Sequence, residues 1–182
     1  SEKNFAGIVR PYLNGRDVNQ VTRNVFVIDA YPLTQAELRA VNPAIFQHLY
    51  DSVRPEREQN RDAFRRETWH WFGRTHKEYR SFTNELERYV VSTETSKHRF
   101  FTFVEGTTRA DNMLVAFGVS DAELLAVLSS KHHVTWALSV GGTLEDRPRY
   151  NKSVCFDPFP FPDLTDTQRA QLRQLGEELD AH

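Results

Sequence analysis

Cysteine is nearly missing from this chain: its 182 residues include only Cys155, which excludes an internal disulfide framework and any all-cysteine metal site and fits a reducing compartment. No uninterrupted apolar run reaches the ~20 residues that cross a bilayer, so no membrane partner is expected. The chain starts at Ser1 without an initiator Met and without a basic stretch leading into an apolar one. Such a start is expected of a piece of a longer cytoplasmic protein rather than of a secreted one. Also absent are a glycine-rich phosphate loop, a nucleophile elbow and a carboxylate–lysine nuclease cluster. Surplus positive charge is lacking too, since 23 Lys and Arg against 25 Asp and Glu leave a formal net charge of −2. A protein that coats polyanions is thereby excluded, and contact with nucleic acid requires a local basic face.

What is present suits one α+β domain, or one domain with a short appendage. The expected architecture is a small mixed or antiparallel sheet flanked by helices over residues 1–162. A C-terminal amphipathic helix follows over 163–182 and suits the start of a further helical domain. Val25-Phe26-Val27-Ile28, after the turn-prone Asn14-Gly15, reads as a buried strand. Thr34-Gln35-Ala36-Glu37 has capping-box spacing, and Asn42-Pro43 starts a second helix on which Ile45, Leu49 and Val53 repeat before Pro55. Helical pieces joined by irregular chain are expected from Glu56 to Glu87. Arg88 to Ser92, Phe100 to Val104 and Met113 to Phe117 read as strands. Ser120-Asp121-Ala122-Glu123 opens a core-facing helix that runs toward Trp136 and stops at Gly141-Gly142. The last helix begins at Thr165 and carries Leu172, Leu175 and Leu179 on one face.

The chemistry lies in basic clusters. Between Arg54 and Arg80, eight cations (Arg54, Arg57, Arg61, Arg65, Arg66, Arg74, Lys77 and Arg80) alternate with Phe64, Trp69, Trp71, Phe72 and Tyr79. Guanidinium groups pair with phosphates or stack on bases. Glu56, Glu58, Asp62, Glu67 and Glu78 in the same stretch offer intramolecular partners, and the two tryptophans suit a core. Near the other end, Arg147 and Arg149 stand two apart, so an extended segment puts both on one face. They suit bidentate contact with guanine O6 and N7, or a clamp on backbone carbonyls or phosphates that reads no base. Past them, Phe156-Asp157-Pro158-Phe159-Pro160-Phe161-Pro162 reads as a stiff extended ribbon, because proline fixes its own φ and biases its predecessor. Ser96-Lys97-His98-Arg99 and Lys131-His132-His133 have the charge to touch phosphate. Neither has zinc-site or iron-site spacing, so no metal is expected.

In order along the chain, several blocks resemble the target-recognition domain of MmeI-like DNA adenine methyltransferases and type IIL restriction-modification enzymes. They are Ile8 to Asn19, Val53 to Arg57 with Arg65 to Gly73, Ser96 to Arg99, Leu128 to Trp136, and Arg149-Tyr150-Asn151-Lys152 with Cys155-Phe156 and Phe159-Pro160-Phe161-Pro162. The resemblance implies a sequence-specific reader of double-stranded DNA, itself non-catalytic. It follows an S-adenosylmethionine-dependent adenine-N6 methyltransferase domain of the same polypeptide, and a nuclease is fused in some members. It also implies base readers around Ser92 to Arg99, Arg109 to Met113 and Thr143 to Lys152. The expected DNA-binding residues are Arg147, Arg149, Lys152, Tyr150, Lys97, His98, Arg99, Arg65, Arg66, Asn112 and Lys131. No catalytic, cofactor or metal residue is expected in this chain. The Asn-Pro-Pro-Tyr motif of such methyltransferases has no counterpart beyond Asn42-Pro43-Ala44-Ile45, which reads as a helix start. The competing reading is a non-catalytic protein-interaction scaffold that packs against a methyltransferase or nuclease domain. An independent hydrolase ranks last.

Overall fold

The computed structural model describes residues 7–182. In chain order it contains β1 (Val9–Leu13), α1 (Gly15–Asn19), β2 (Val25–Ile28), α2 (Gln35–Val41), α3 (Pro43–Ser52), α4 (Arg54–Arg57), α5 (Ala63–Glu67) and α6 (Lys77–Glu85). There follow β3 (Arg88–Thr93), β4 (Thr102–Glu105), β5 (Arg109–Ala110), β6 (Leu114–Phe117), α7 (Ala122–Ser129) and α8 (Lys131–Val140). The hairpin β7 (Thr143–Leu144) and β8 (Arg147–Pro148), a π-helical turn over Lys152–Phe156 and α9 (Asp166–Asp180) complete the order. The expected α+β class is what forms. The described residues part into two compact units, one of residues 7–11 with Val25–Glu78, the other of Tyr12–Asn24 with Tyr79–His182.

In the first unit, β2 lies beside β1. The expected buried strand at Val25–Ile28 forms but is half-buried, with Phe26 exposed. Thr34 closes a full capping box with Glu37 on α2, and Asn42 caps α3 by accepting from the Ile45 N–H with Pro43 in the first turn. Both starts follow from the sequence, because a short polar side chain satisfies amides that the first helical turn leaves without partners. Ile8, Ala30, Leu38, Ile45, Leu49 and Trp69 form the core. His70 and Trp71 both bond to the Leu33 carbonyl at 2.9 Å, which fastens the aromatic stretch beneath α2.

The second unit is built on β3, which runs antiparallel between β4 and β6. Tyr89, Val90 and Val91 are completely buried, as expected of a central strand covered on both faces. Tyr89 packs on Tyr79 and Phe82 of α6, whereas Val90 joins Phe101, Phe117, Leu125, Leu128, Tyr150 and Cys155. Enclosing Leu125 and Leu128 contributes roughly 1.5–3 kcal/mol each. Where a single helix was expected from Ser120 toward Trp136, there are two. Ser130 adopts an extended conformation (φ −63°, ψ 149°) and its hydroxyl accepts from the His133 N–H to cap α8, the competition with backbone that serines offer. Asp121, not Ser120, caps α7. Asn14, expected in a turn, forms a capping box with Asp17 on α1.

Two further expectations are corrected. The proline segment is not extended throughout, since Asp157 is α-helical in backbone (φ −58°, ψ −41°) and closes the π-helical turn. Phe159 then stacks edge-on against His133 at 4.5 Å between ring centroids, and Phe161 against Phe156 at 5.2 Å. On α9, Leu175 and Leu179 are exposed. The packed stripe runs instead through Gly176, where a Cβ would lie 2.1 Å from the Ala122 carbonyl oxygen. Around it Arg169 pairs with Glu123 at 2.5 Å, Arg173 with Asp121 at 2.8 Å, and Arg88 with Glu177 and Asp180. Charge pairing and backbone proximity, rather than a leucine stripe, fix this helix. Gly176→Ala should therefore force α9 off α7 and cost about 1–3 kcal/mol, whereas Leu175→Ala should cost less than about 0.5 kcal/mol, as compared by urea unfolding.

Candidate nucleic-acid interface

The end of β3 organises the basic loops of the second unit. The Glu94 N–H donates to the Met113 carbonyl at 2.8 Å, and the Glu94 carbonyl accepts from the Tyr150 N–H at 2.6 Å. Thr95 forms a β-bridge with Arg149, and the Ser96 N–H donates to the Pro148 carbonyl at 3.2 Å. The Ser96 hydroxyl reaches Asn19 Oδ1 at 3.3 Å. Four segments distant in sequence thus meet: the end of α1, the β3–β4 loop, the β5–β6 turn and the β7–β8 hairpin.

Arg99 and Tyr150, both expected to face DNA, are built into this junction from within. The Arg99 guanidinium donates to Ser92 Oγ at 3.1 Å, to the Thr93 carbonyl, to the Glu94 carbonyl at 3.4 Å and to the Pro148 carbonyl at 3.2 Å. It also lies over the Tyr150 ring, 5.1 Å from the centroid. Its donors are engaged by the chain's own carbonyls. Tyr150 is 1% exposed, and its hydroxyl meets His133 Nε2 at 3.0 Å. Burial pushes the Tyr150 phenol above the ordinary tyrosine value and pulls the His133 imidazole down to about 4, with the nearby Arg99 charge acting in the same direction. Arg109, within another stretch expected to hold readers, is also buried and bonds Thr83 Oγ1 at 3.1 Å and Asn84 Oδ1 at 3.3 Å.

Other expected residues are exposed. Arg149 extends from the junction, its Nη2 2.5 Å from the Glu94 carboxylate. Arg147 stands on the hairpin with 64% of its side chain exposed, and Asp146 approaches it only to 3.8 Å. Glu145, the first residue of the two-residue hairpin loop, has φ of 58°, as a type II′ turn demands of that position. Asn112 is exposed on a turn held by Asp111. The Asp111 carboxylate accepts from the Met113 N–H at 2.8 Å and from the Tyr12 hydroxyl. Burial, together with that carboxylate, pushes the Tyr12 phenol up to about 12. Lys97 and His98 are exposed on the β3–β4 loop. Elsewhere in the unit, Lys131 is exposed at the start of α8, and the Lys152 ammonium is held by Asp157 at 2.7 Å.

Arg65 and Arg66 belong to the first unit, on α5. Arg66 Nη1 donates to the Asn60 and Arg61 carbonyls at 2.8 and 2.9 Å, and Arg65 Nε lies 3.6 Å from Asp62. Trp69 is buried, in keeping with its expected core role. Sequence reasoning missed Glu94 as the partner that orients Arg149, and Asn19 as a member of the junction. The Thr93-Glu94-Thr95 string carries no motif that would single it out.

Asn42 is 4% exposed and its side chain is spent capping α3. Among the described residues no group of three His, Cys, Asp or Glu side chains is placed to hold a metal ion, and no helix is long and apolar enough to cross a membrane.

The second unit buries its own polar ties and leaves cations and an amide on its loops. A model of the family described as "MmeI, target recognition domain" matches residues 1–163, and the chain belongs to that family. Over 98 residues, half of its length, it is 33% identical to DNA methyltransferase A of Bacillus subtilis (strain 168), of which it spans 11%. Its fold is similar to that of the type IIL restriction-modification enzyme MmeI solved in complex with DNA, with a TM-score of 0.72 and 18% identity over 96% of this chain and 23% of that one. The chain therefore spans less than a quarter of the length of either protein.

The buried His133 makes the junction sensitive to acid. Its folded pKa lies below the ordinary value of 6.5, so the unfolded chain binds the proton first. The stabilisation is complete above pH 6.5 and is lost as pH falls toward 4. A loss of about 2 kcal/mol between pH 7 and pH 5 is expected from this group. In His133→Gln, chemical denaturation at the two pH values should show that difference largely abolished.

Proposed function

We propose that this chain reads a short double-stranded DNA sequence on behalf of a larger enzyme, in which a methyltransferase domain of the same polypeptide transfers a methyl group from S-adenosylmethionine to an adenine amine. Arg147, Arg149 and Asn112 approach base edges, and Lys97, His98 and Lys131 approach phosphates. Arg99 and Tyr150 act behind them as positioning residues. The observation that carries the reading is the junction at Glu94, which sets exposed Arg149 beside the turn bearing Asn112 in a chain of the MmeI target-recognition family. Supporting it are the relative named as a DNA methyltransferase and the similar fold of an enzyme solved in complex with DNA.

The chemistry is consistent. Glu94 holds the Arg149 guanidinium in one orientation, so less side-chain freedom is lost on binding. A planar two-donor fork suits guanine O6 and N7, and one such contact is worth roughly 1–3 kcal/mol of discrimination. Lysine and histidine on the β3–β4 loop supply charge without base information. The slightly acidic net charge is no obstacle, because the acids on α7 and α9 are taken up by Arg169, Arg173 and Arg88.

Selection of bound sequences from randomised duplexes provides the test. The wild-type chain should enrich one short sequence. Arg149→Ala should relax selectivity at a single base pair by about ten- to a hundredfold while melting like the wild type. Enrichment of no sequence, with affinity insensitive to salt, would leave the scaffold reading in its place.

A further inference from the structure

The first unit holds two guanidinium groups at one point of the backbone. At Gly73 the place a side chain would occupy lies 3.3 Å from Arg57 Nη1, 3.5 Å from Arg65 Nε and 3.7 Å from Arg65 Cζ. Arg57 reaches it from α4 and Arg65 from α5, and the missing side chain leaves room for both. Among the described residues, no carboxylate pairs with Arg57. Asp62 approaches Arg65 Nε only to 3.6 Å, and its Oδ1 is already engaged by the Arg65 N–H as the cap of α5. Arg65 Nε is enclosed and makes no hydrogen bond. Of the neighbouring cations, Arg54 is paired with Glu58 at 2.5 Å, and Arg66 is turned to the Asn60 and Arg61 carbonyls. Two like charges are therefore drawn together over bare backbone with one acid, Asp62 at 3.6 Å from Arg65 Nε, beside them.

We infer that Arg57 and Arg65 over Gly73 form a cradle for one phosphodiester of duplex DNA, a contact that adds affinity without reading sequence. This rests on the DNA-reading role proposed above. The ligand class follows from the site: planar forks with hydrogen-bond donors to spare match the non-bridging oxygens of a phosphodiester. Gly73 is part of the cradle because a side chain there would push Arg57 aside or occupy the phosphate's place. Its φ lies outside the left-handed range, so other residues fit its backbone.

Fluorescence anisotropy of the 182-residue chain with two duplexes, one carrying the selected sequence and one scrambled, over a series of salt concentrations, tests the cradle. Arg57→Gln should weaken both duplexes alike, roughly three- to tenfold, and make the slope of log affinity against log salt shallower by about 0.9. Arg57→Lys should keep the slope. Gly73→Asp, which places a carboxylate between the two guanidinium groups, should weaken both duplexes at least as much, with thermal melting unchanged. If wild type binds with a salt-dependent affinity that neither Arg57→Gln nor Gly73→Asp alters, the cradle is wrong and the reading role stands. A loss confined to the selected duplex would also overturn it, since it would make Arg57 a reader of bases. Wild-type affinity indifferent to salt would remove the cradle and the reading role together.

Discussion

The guanidinium of Arg99 is the tie on which the loop junction of the second unit depends. Peptide groups at the end of β3 and in the β7–β8 hairpin turn carbonyl oxygens toward one partly buried point, and an unmet buried carbonyl costs on the order of 1–3 kcal/mol. One planar group with several donors meets the Thr93, Glu94 and Pro148 carbonyls together with the Ser92 hydroxyl, and Tyr150 covers its face. A lysine would supply a point charge without the fork geometry that spans two strands. Burial, with the Arg99 charge acting in the same direction, keeps the His133 ring behind Tyr150 neutral.

The same economy appears in the placement of opposite charges. Acids on α7 are matched by arginines on α9, and Asp17 is fixed by Arg23 while it caps α1. That ion pair and the amides of Asn14 and Arg23 hold the Asp17 carboxyl well below the usual carboxylate range. Lys97 and Arg147 are left exposed on loops, Arg147 with only Asp146 at 3.8 Å, and Arg57 stands half-buried on the short helix α4. A molecule with slightly more acids than bases thus still presents local positive charge.

Much of the local structure was legible in the sequence because it rests on near neighbours. Thr34 with Glu37, Asn42 with Pro43, and Thr165 with Gln168 each satisfy amides three residues away, so their spacing is written in the chain. The apolar runs of β3 and β6 were equally plain. What was not legible depends on distant partners. Arg99 and Arg149 are both arginines among polar neighbours, yet one is drawn inward by carbonyls up to 49 residues away and the other reaches outward to Glu94. Tyr150 carries a polar hydroxyl beside basic residues, and only its position over Phe101 and Phe117 makes it a core ring. The leucines of α9 gave a regular stripe, but Gly176 offered the closer approach and turned the helix.

The ties that hold the loop junction are addressed almost entirely to main-chain atoms: the carbonyls of Thr93, Glu94, Met113 and Pro148 and the amides of Glu94, Ser96 and Tyr150. Main-chain atoms are the same whatever residue carries them. Replacing the outward side chains at positions 112 and 147 therefore leaves the scaffold's main-chain bonding intact, and replacement at 149 gives up only the ion pair with Glu94.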